Sequence, residues 1–247
     1  PEKYYLLESR LLPVMRRLEL PTLAKLVQSI RDHEDPSIIQ EIVDRMTTNE
    51  TSFFRDLKPF TAFKGHVLPE LAKRQSHVRI WSAACSSGQE PYTLAMIVKE
   101  AEATHPNLSA EILATDLSEE ALHKARKATY TQFEVQRGLP INLLMAYFSQ
   151  EGDKWLLKPE IRHMVEFKQH NLLEPASALT RFDIVFCRNV LIYFDEATKR
   201  KVVASLADAI QDRGFLVIGS SETLHGLSEQ FTSYNKAFPG VYQKQQK

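Results

Sequence analysis

The chain has 247 residues, of which 43% are hydrophobic and 25% charged, a composition typical of a globular protein. The 31 basic and 31 acidic residues cancel, which disfavours a general nucleic-acid binder because such proteins need a net positive field. The sequence contains no run of about 18 apolar residues, and its first residues lack the features of a secretory signal. We therefore expect a cytoplasmic protein without membrane insertion.

Cysteine and histidine spacing gives no support to a disulfide framework or a metal site. The two cysteines, Cys85 and Cys187, lie far apart, and neither belongs to a CxxC pair. The eight histidines show no HxxxH or HxxEH spacing. We expect a reduced protein whose chemistry uses no metal.

The first part of the chain, residues 1–46, carries apolar side chains at helical spacing. Pro13 and Pro21 are expected to act as helix breaks or first-turn residues, and Pro36 is well placed to begin a helix. No strand-like run occurs before residue 78. The pattern predicts a small all-α domain over residues 1–46.

The remainder, residues 47–247, alternates between strand-like and helical segments. Apolar runs typical of strands occur at residues 78–82, 110–116, 181–187 and 214–220, with helical segments between them. This alternation predicts an α/β domain with a mostly parallel sheet and helices on both faces.

Two stretches interrupt the alternation. Residues 146–169 contain a hairpin signal at Glu151–Gly152–Asp153, which predicts a small antiparallel β insertion. Near the C-terminus, a Pro239–Gly240 turn separates two short strand candidates. This arrangement predicts an antiparallel hairpin that closes the sheet.

The turn after the first predicted strand consists of small residues from Ser82 to Gly88. In open α/β sheets, ligands bind at the carboxyl ends of strands, where such residues let the backbone approach closely. The GxGxxG fingerprint of dinucleotide-binding proteins is absent, because Gly88 is the only glycine in this turn. A nucleotide-linked dehydrogenase is therefore disfavoured, although a packing turn without a ligand remains an alternative.

Asp116 ends the second predicted strand, where a carboxylate can accept hydrogen bonds from both hydroxyls of a ribose. The alternative is that Asp116 caps the following helix, a task that Ser118 can also perform. An acidic strand end beside a turn of small residues favours a nucleoside ligand without phosphates. S-adenosylmethionine is the obvious candidate.

Two further segments follow predicted strands and reach the same sheet edge. Asn171 is placed to bond an adenine edge, Leu172 to pack on its face, and Asn189 to face the sulfonium. Taken singly, Asn171 is better explained as a turn residue and Tyr193 as an aromatic residue that packs against the helix. Four such segments at one edge favour a shared binding site.

Several long motifs are more specific. The segments TTNETSFFRD, WSAACSSGQEPYTLAM, ATDLS and FDIVFCRNVLIYF, in this order, closely resemble the CheR family of chemoreceptor glutamate methyltransferases. The resemblance covers nearly the whole chain, and it implies methylation of receptor glutamates with S-adenosylmethionine, leaving S-adenosylhomocysteine. It also implies that the cofactor is contacted by Asn49, Thr51, Arg55, Glu90, Asp116, Asn171, Leu172, Arg188 and Asn189.

The resemblance further implies that the substrate is the cytoplasmic helical bundle of a chemoreceptor. In some members of the family the β insertion also grips a peptide at the receptor's C-terminus, and the sequence leaves open which kind this is. The Arg16–Arg17 pair, with Arg10 and Lys25 nearby, is a candidate basic face that steers an acidic helix. A solvated helix face explains the same residues.

Methyl transfer to a carboxylate requires no general base, because a glutamate with a pKa near ~4.3 is ionised at neutral pH. Arg55 and Tyr193 are predicted to position the carboxylate or the methionine moiety. For Arg55, the alternative is an ion pair with Asp56 or Glu50. Two other functions stay open, a non-catalytic docking module that holds S-adenosylmethionine and a methyltransferase that acts on another protein carboxylate.

Overall fold

The computed structural model describes residues 4–33, 35–176 and 179–246. Its helices are α1 (Tyr4–Arg17), α2 (Leu23–His33), α3 (Pro36–Met46), α4 (Lys58–Ala62), α5 (Leu68–Arg74), α6 (Gln89–Ala101), α7 (Glu119–Lys127), α8 (Gln132–Gln136), α9 (Ile141–Tyr147), α10 (Pro159–Arg162) and α11 (Glu196–Ala209). Its strands are β1 (His77–Ala83), β2 (Ser109–Asp116), β3 (Thr129–Thr131), β4 (Phe148–Glu151), β5 (Lys154–Leu157), β6 (Val165–Gln169), β7 (Phe182–Cys187), β8 (Ile210–Ile218), β9 (Phe231–Ser233) and β10 (Val241–Lys244).

Helices α1, α2 and α3 pack around a small apolar core of their own. Leu11, Val14 and Met15 of α1 and Leu26 of α2 are buried there. Helix α3 begins where expected, with Pro36 in its first turn and the Asp35 carboxylate accepting a hydrogen bond from Ser37 N.

The prediction that Pro13 breaks a helix or sits in its first turn is wrong, because α1 continues through it. Proline costs an interior helix one backbone hydrogen bond and causes a steric clash. Val14 and Met15, immediately after Pro13, lie in the apolar core against α2 and α3. Tertiary packing of the turns on both sides therefore outweighs the local preference.

The main sheet has seven strands in the order β6-β2-β1-β7-β8-β10-β9. The first five of these are parallel to one another, whereas β10 pairs antiparallel with both β8 and β9. The mostly parallel sheet and the closing antiparallel hairpin are thus confirmed. Every residue of β7 is buried, which agrees with its uninterrupted apolar sequence.

The predicted β insertion exists, but its bounds differ from residues 146–169. Strands β4 and β5 form the expected hairpin, and β3 pairs with β5 to complete a separate three-stranded sheet. Strand β6 instead joins the main sheet beside β2. Its alternating Val165 and Phe167 side chains pack against buried residues of the main domain, and this burial draws β6 out of the insertion.

Candidate functional site

A cavity of about 390 Å³ opens at the carboxyl ends of β1, β2, β6 and β7. This volume lies within the range of about 300–1,000 Å³ that is usual for small-molecule sites. All the predicted cofactor-binding and catalytic residues line the cavity: Asn49, Thr51, Arg55, Glu90, Asp116, Asn171, Leu172, Arg188, Asn189 and Tyr193. The structure therefore brings together residues that are spread over some 145 positions of sequence, from 49 to 193.

The turn between β1 and α6 forms the floor of the cavity. Ala84 and Ser86 have φ angles of 60° and 51°, and Gly88 one of 91°. A Cβ atom on Gly88 would lie 2.9 Å from the Cβ atom of Ala125, so a side chain does not fit there. The Ser86 hydroxyl donates to the Asn49 carbonyl over 2.8 Å, which ties the segment before Arg55 to this turn.

Asp116 is buried at the end of β2, and its carboxylate accepts hydrogen bonds from the backbone of two different segments. One oxygen accepts from Ser86 N at 2.7 Å and the other from Ser118 N at 2.9 Å. Ser118, not Asp116, caps α7 by accepting from Ala121 N. A carboxylate has about four acceptor positions, so Asp116 keeps capacity for a ligand. Burial raises the pKa of Asp116 above its usual range, against the lowering effect of these hydrogen bonds.

Arg188 is the centre of a buried charge cluster. Its side chain is 2% exposed and donates to Glu90 at 2.9 Å, to Asp56 at 3.0 Å and to the Arg55 carbonyl at 2.7 Å. Ser82 donates to the other oxygen of Glu90 over 2.8 Å. The guanidinium is thus largely engaged by the protein, and it fixes both Glu90 and the Arg55–Asp56 turn at the cavity wall.

Arg55 lies in a turn with unusual backbone geometry. Phe54, Asp56 and Leu57 all have positive φ angles, which non-glycine residues rarely adopt. The Arg55 side chain donates to the Glu50 carbonyl at 2.7 Å. The alternative of an ion pair with Asp56 or Glu50 is not what the structure contains, because these carboxylates pair with Arg188 and Arg137.

The segment after β6 also lines the cavity. Asn171 accepts a hydrogen bond from Leu173 N at 3.0 Å, so it is a turn residue, while its side chain also lines the cavity. The His170 ring packs edge-on against Trp81, and burial lowers its pKa below the usual range. His170 is therefore neutral at physiological pH.

Tyr193 ends a short 3₁₀ turn after β7 and is 62% exposed at the cavity. The alternative that Tyr193 serves aromatic packing gains no support from so exposed a ring. Asn189, in the same loop, has a φ angle of 56°. Glu222, which accepts hydrogen bonds from this loop, was not among the predicted site residues. Its position just beyond the next parallel strand was the available signal.

Comparison with known proteins identifies the family. Residues 49–238 match the model of the "CheR methyltransferase, SAM binding domain". The chain belongs to the CheR methyltransferase family. It is 40% identical to the chemotaxis protein methyltransferase Cher2 of Pseudomonas putida and 43% identical to chemotaxis protein methyltransferase 1 of Pseudomonas aeruginosa, in each case over 97% of this chain and 89% of the relative. Chemotaxis protein methyltransferase 1 of Vibrio cholerae is 39% identical over 98% and 89%.

The cavity fits the S-adenosylmethionine of this family. Asp116 lines the cavity with a carboxylate that accepts from the backbone N–H groups of Ser86 and Ser118, and its negative charge favours a ligand with a sulfonium cation. Asp116 offers acceptors for ribose hydroxyls, and the turn between β1 and α6 lacks the glycines of a pyrophosphate cradle. The protein is an S-adenosylmethionine-dependent methyltransferase.

Neither cysteine provides a nucleophile for this chemistry. Burial raises the pKa of both Cys85 and Cys187 far above the usual thiol range, and nearby carboxylates raise it further. Both thiols therefore favour the protonated form at physiological pH. Among the residues that the structure describes, no group of His, Cys, Asp and Glu side chains is arranged to hold a metal ion. In the same residues, no helix is long and apolar enough to cross a membrane.

Proposed function

We propose that this methyltransferase esterifies glutamate side chains in the cytoplasmic helical bundle of chemotaxis receptors. The observation that carries the proposal is that the buried Asp116, Arg55 and the exposed Tyr193 all line one cavity. A nucleoside held by Asp116 would lie in the same cavity as Tyr193, whose exposed side chain a macromolecular substrate can reach. The names of the relatives supply the association with chemotaxis.

In the proposed reaction, a glutamate carboxylate oxygen attacks the methyl carbon as the carbon–sulfur bond breaks. A carboxylate and a sulfonium become a methyl ester and a thioether, so no proton moves and no base is required. Bound S-adenosylmethionine supplies the electrophilic methyl group. The chain's own residues orient the carboxylate and replace the water around it.

Arg55 and Tyr193 are proposed as the catalytic residues. The Arg55 guanidinium retains free donors beyond its bond to the Glu50 carbonyl, and it can hold a carboxylate by a charge-assisted hydrogen bond. The Tyr193 hydroxyl is exposed at the same cavity. The remaining nominated residues are proposed to contact the cofactor: Asn49, Thr51, Glu90, Asp116, Asn171, Leu172, Arg188 and Asn189.

The insertion offers an edge for a receptor peptide. Strand β4 lies at the edge of the order β3-β5-β4, and three of its four residues are exposed. An extended peptide can add to such an edge through main-chain hydrogen bonds. We propose this role for receptors that carry a C-terminal tether, to be tested by calorimetry with the receptor's C-terminal peptide.

The N-terminal helices are proposed to form a separate domain over residues 1–46, supported by their own apolar core. Two of the four residues that were expected to form a basic face, Arg10 and Arg17, have partners within these helices. Arg10 donates to the Met46 carbonyl and Arg17 pairs with Glu41, whereas Arg16 and Lys25 are exposed. A steering role would therefore depend chiefly on Arg16 and Lys25.

The proposed function is tested by incubating the protein with receptor-containing membranes and S-adenosylmethionine labelled in its methyl group. Glutamyl methyl esters are hydrolysed by alkali, so the label should appear on the receptor and leave as methanol at high pH. Label that resists alkali would indicate methylation of nitrogen and contradict the proposal.

A further inference from the structure

The carboxylate of Glu222 accepts four backbone hydrogen bonds. One oxygen receives Asn189 N at 2.9 Å and Gly219 N at 2.6 Å. The other receives Val190 N at 3.0 Å and Leu191 N at 2.8 Å. Three of these donors are consecutive residues of the loop that follows β7.

Successive backbone N–H groups that point to one place form a concave anion-binding nest. Here the anion comes from the chain itself, and hydrogen bonds to a charged acceptor are stronger than neutral ones. Within the loop, the described backbone hydrogen bonds are Tyr193 N to the Val190 carbonyl and Phe194 N to the Leu191 carbonyl. The Glu222 carboxylate therefore joins this loop to the end of β8 through hydrogen bonds.

Gly219 approaches Glu222 and Asn189 so closely that a side chain would not fit there. A Cβ atom at this position would lie 2.7 Å from Oε2 of Glu222 and 2.9 Å from Asn189 N. Real Cβ atoms do not approach so closely without displacement, so only glycine lets the end of β8 reach the loop. Asn189, the first residue in the nest, has a φ angle of 56°.

The loop that Glu222 holds has open space on two sides. Asn189, Val190 and Tyr193 line the candidate active site. Leu191 and Ile192, with Glu222, line a second cavity of about 320 Å³. Leu191 packs the loop into the apolar core beside β8, whereas the backbone N–H groups of Asn189, Val190 and Leu191 find their hydrogen-bond partner in the Glu222 carboxylate.

We propose that Glu222 is a positioning residue for methyl transfer. Its carboxylate fills the nest formed by Asn189, Val190 and Leu191, and thereby holds the Asn189 and Tyr193 side chains at the reaction site. Glu222 lines the second cavity and acts through the loop rather than on substrate. The kinetic part of this proposal rests on the proposed function, whereas the structural part does not.

The first test replaces Glu222 with glutamine, which keeps the shape and removes the charge. Loss of charge-assisted hydrogen bonds should lower kcat for methyl transfer about tenfold to a hundredfold. S-adenosylhomocysteine affinity should change by only a few fold, since most cofactor contacts lie elsewhere. The backbone amide resonances of Asn189, Val190 and Leu191 should shift. Glu229→Gln, an exposed change in the same segment, should leave all three readouts unchanged.

The second test separates positioning from a merely structural role. Glu222→Ala empties the nest, and the adjoining cavity gives a small anion access to it. Added formate should restore part of kcat and the amide shifts in Glu222→Ala, but not raise kcat in the wild-type protein. Wild-type kcat in Glu222→Gln, or unchanged amide resonances, would overturn the proposal.

The outcome for Glu222 is distinguishable from the outcome for the substrate. If the wild-type protein transferred no methyl group to chemoreceptors, the proposed function would fail. The amide resonances of the Glu222 variants, and their response to formate, would still show whether the carboxylate holds the loop.

Discussion

The guanidinium of Arg188 and the carboxylate of Glu90 form a buried ion pair of 2.9 Å that links the end of β7 to the first turn of α6. The Arg188 side chain is 2% exposed and that of Glu90 11%. Asp56 accepts from the same guanidinium and attaches the strained turn that carries Arg55. One cation thus joins three segments of the candidate site.

Removal of Arg188 should destabilise the protein strongly. A buried pair that loses one partner leaves an uncompensated charge, at a cost of roughly 3–5 kcal/mol. Arg188→Ala should therefore lower Tm by roughly 2–4 °C for each kcal/mol in a protein of this size, measured by calorimetry. Arg200→Ala breaks an exposed pair with Glu196, which contributes at most about 0.5 kcal/mol. An equally small shift in both variants would contradict the structural role of Arg188.

Asp116 should control cofactor affinity. Replacing a charge-assisted hydrogen bond costs roughly 1.5–3 kcal/mol, or about ten- to a hundredfold in affinity. Asp116→Asn should weaken S-adenosylhomocysteine binding by this factor, whereas the exposed Asp208→Asn should not. Unchanged affinity in folded Asp116→Asn would remove Asp116 from the site.

The same carboxylate predicts a pH dependence. Burial raises the pKa of Asp116 above 3.8, so affinity should fall as the pH is lowered through that raised value, while Asp116→Asn should show no such change. Protonation of Asp116 has the opposite effect on folding stability. A carboxyl whose pKa is raised in the folded state binds its proton there first, so protonation of Asp116 itself favours folding. Weaker cofactor binding at low pH would therefore not arise from a loss of folding stability caused by protonation of Asp116.

Much of the site could be predicted from sequence because parallel strands end at one edge. Asp116 ends one strand-like run and Asn189 follows another, so their convergence required only the topology. Ser118 was recognisable as a cap from its place before a helix. Each of these signals lies within one short stretch of sequence.

Other features depend on contacts between distant residues. The bond from Arg188 to Asp56 spans 132 positions, and that from Asn189 to Glu222 spans 33. Strand β6 reads as part of a hairpin until its packing against the main domain is known. Pro13 likewise looks like a break until α1 is seen packed against its neighbours.

Neither cysteine should be required. The nucleophile belongs to the substrate, and both thiols have pKa values raised by burial. A Cys85→Ala, Cys187→Ala double variant should keep substantial activity, although small cavities at buried sites will lower its stability. EDTA should not affect the rate. Complete loss of activity in the folded double variant, or inhibition by the chelator, would overturn the mechanism.

Tyr193 should act in turnover rather than in cofactor binding. A residue that aligns the carboxylate in the transition state affects kcat more than ground-state affinity. Tyr193→Phe should therefore retain S-adenosylhomocysteine affinity within a few fold while single-turnover methylation falls markedly. Arg55→Ala should lose activity too, with part of the loss through the cofactor. Methylation by Tyr193→Phe at the wild-type rate would exclude a catalytic hydroxyl.

Mass-spectrometric mapping of the methyl group on the receptor is the most direct test of the account. A chemoreceptor cytoplasmic fragment would be incubated with the protein and methyl-labelled S-adenosylmethionine, then digested under mildly acidic conditions that preserve esters. We expect the label on glutamate side chains of the helical bundle, and its loss from a site when that glutamate is replaced by alanine. Label on lysine or another side chain, or no label with cofactor bound, would contradict it.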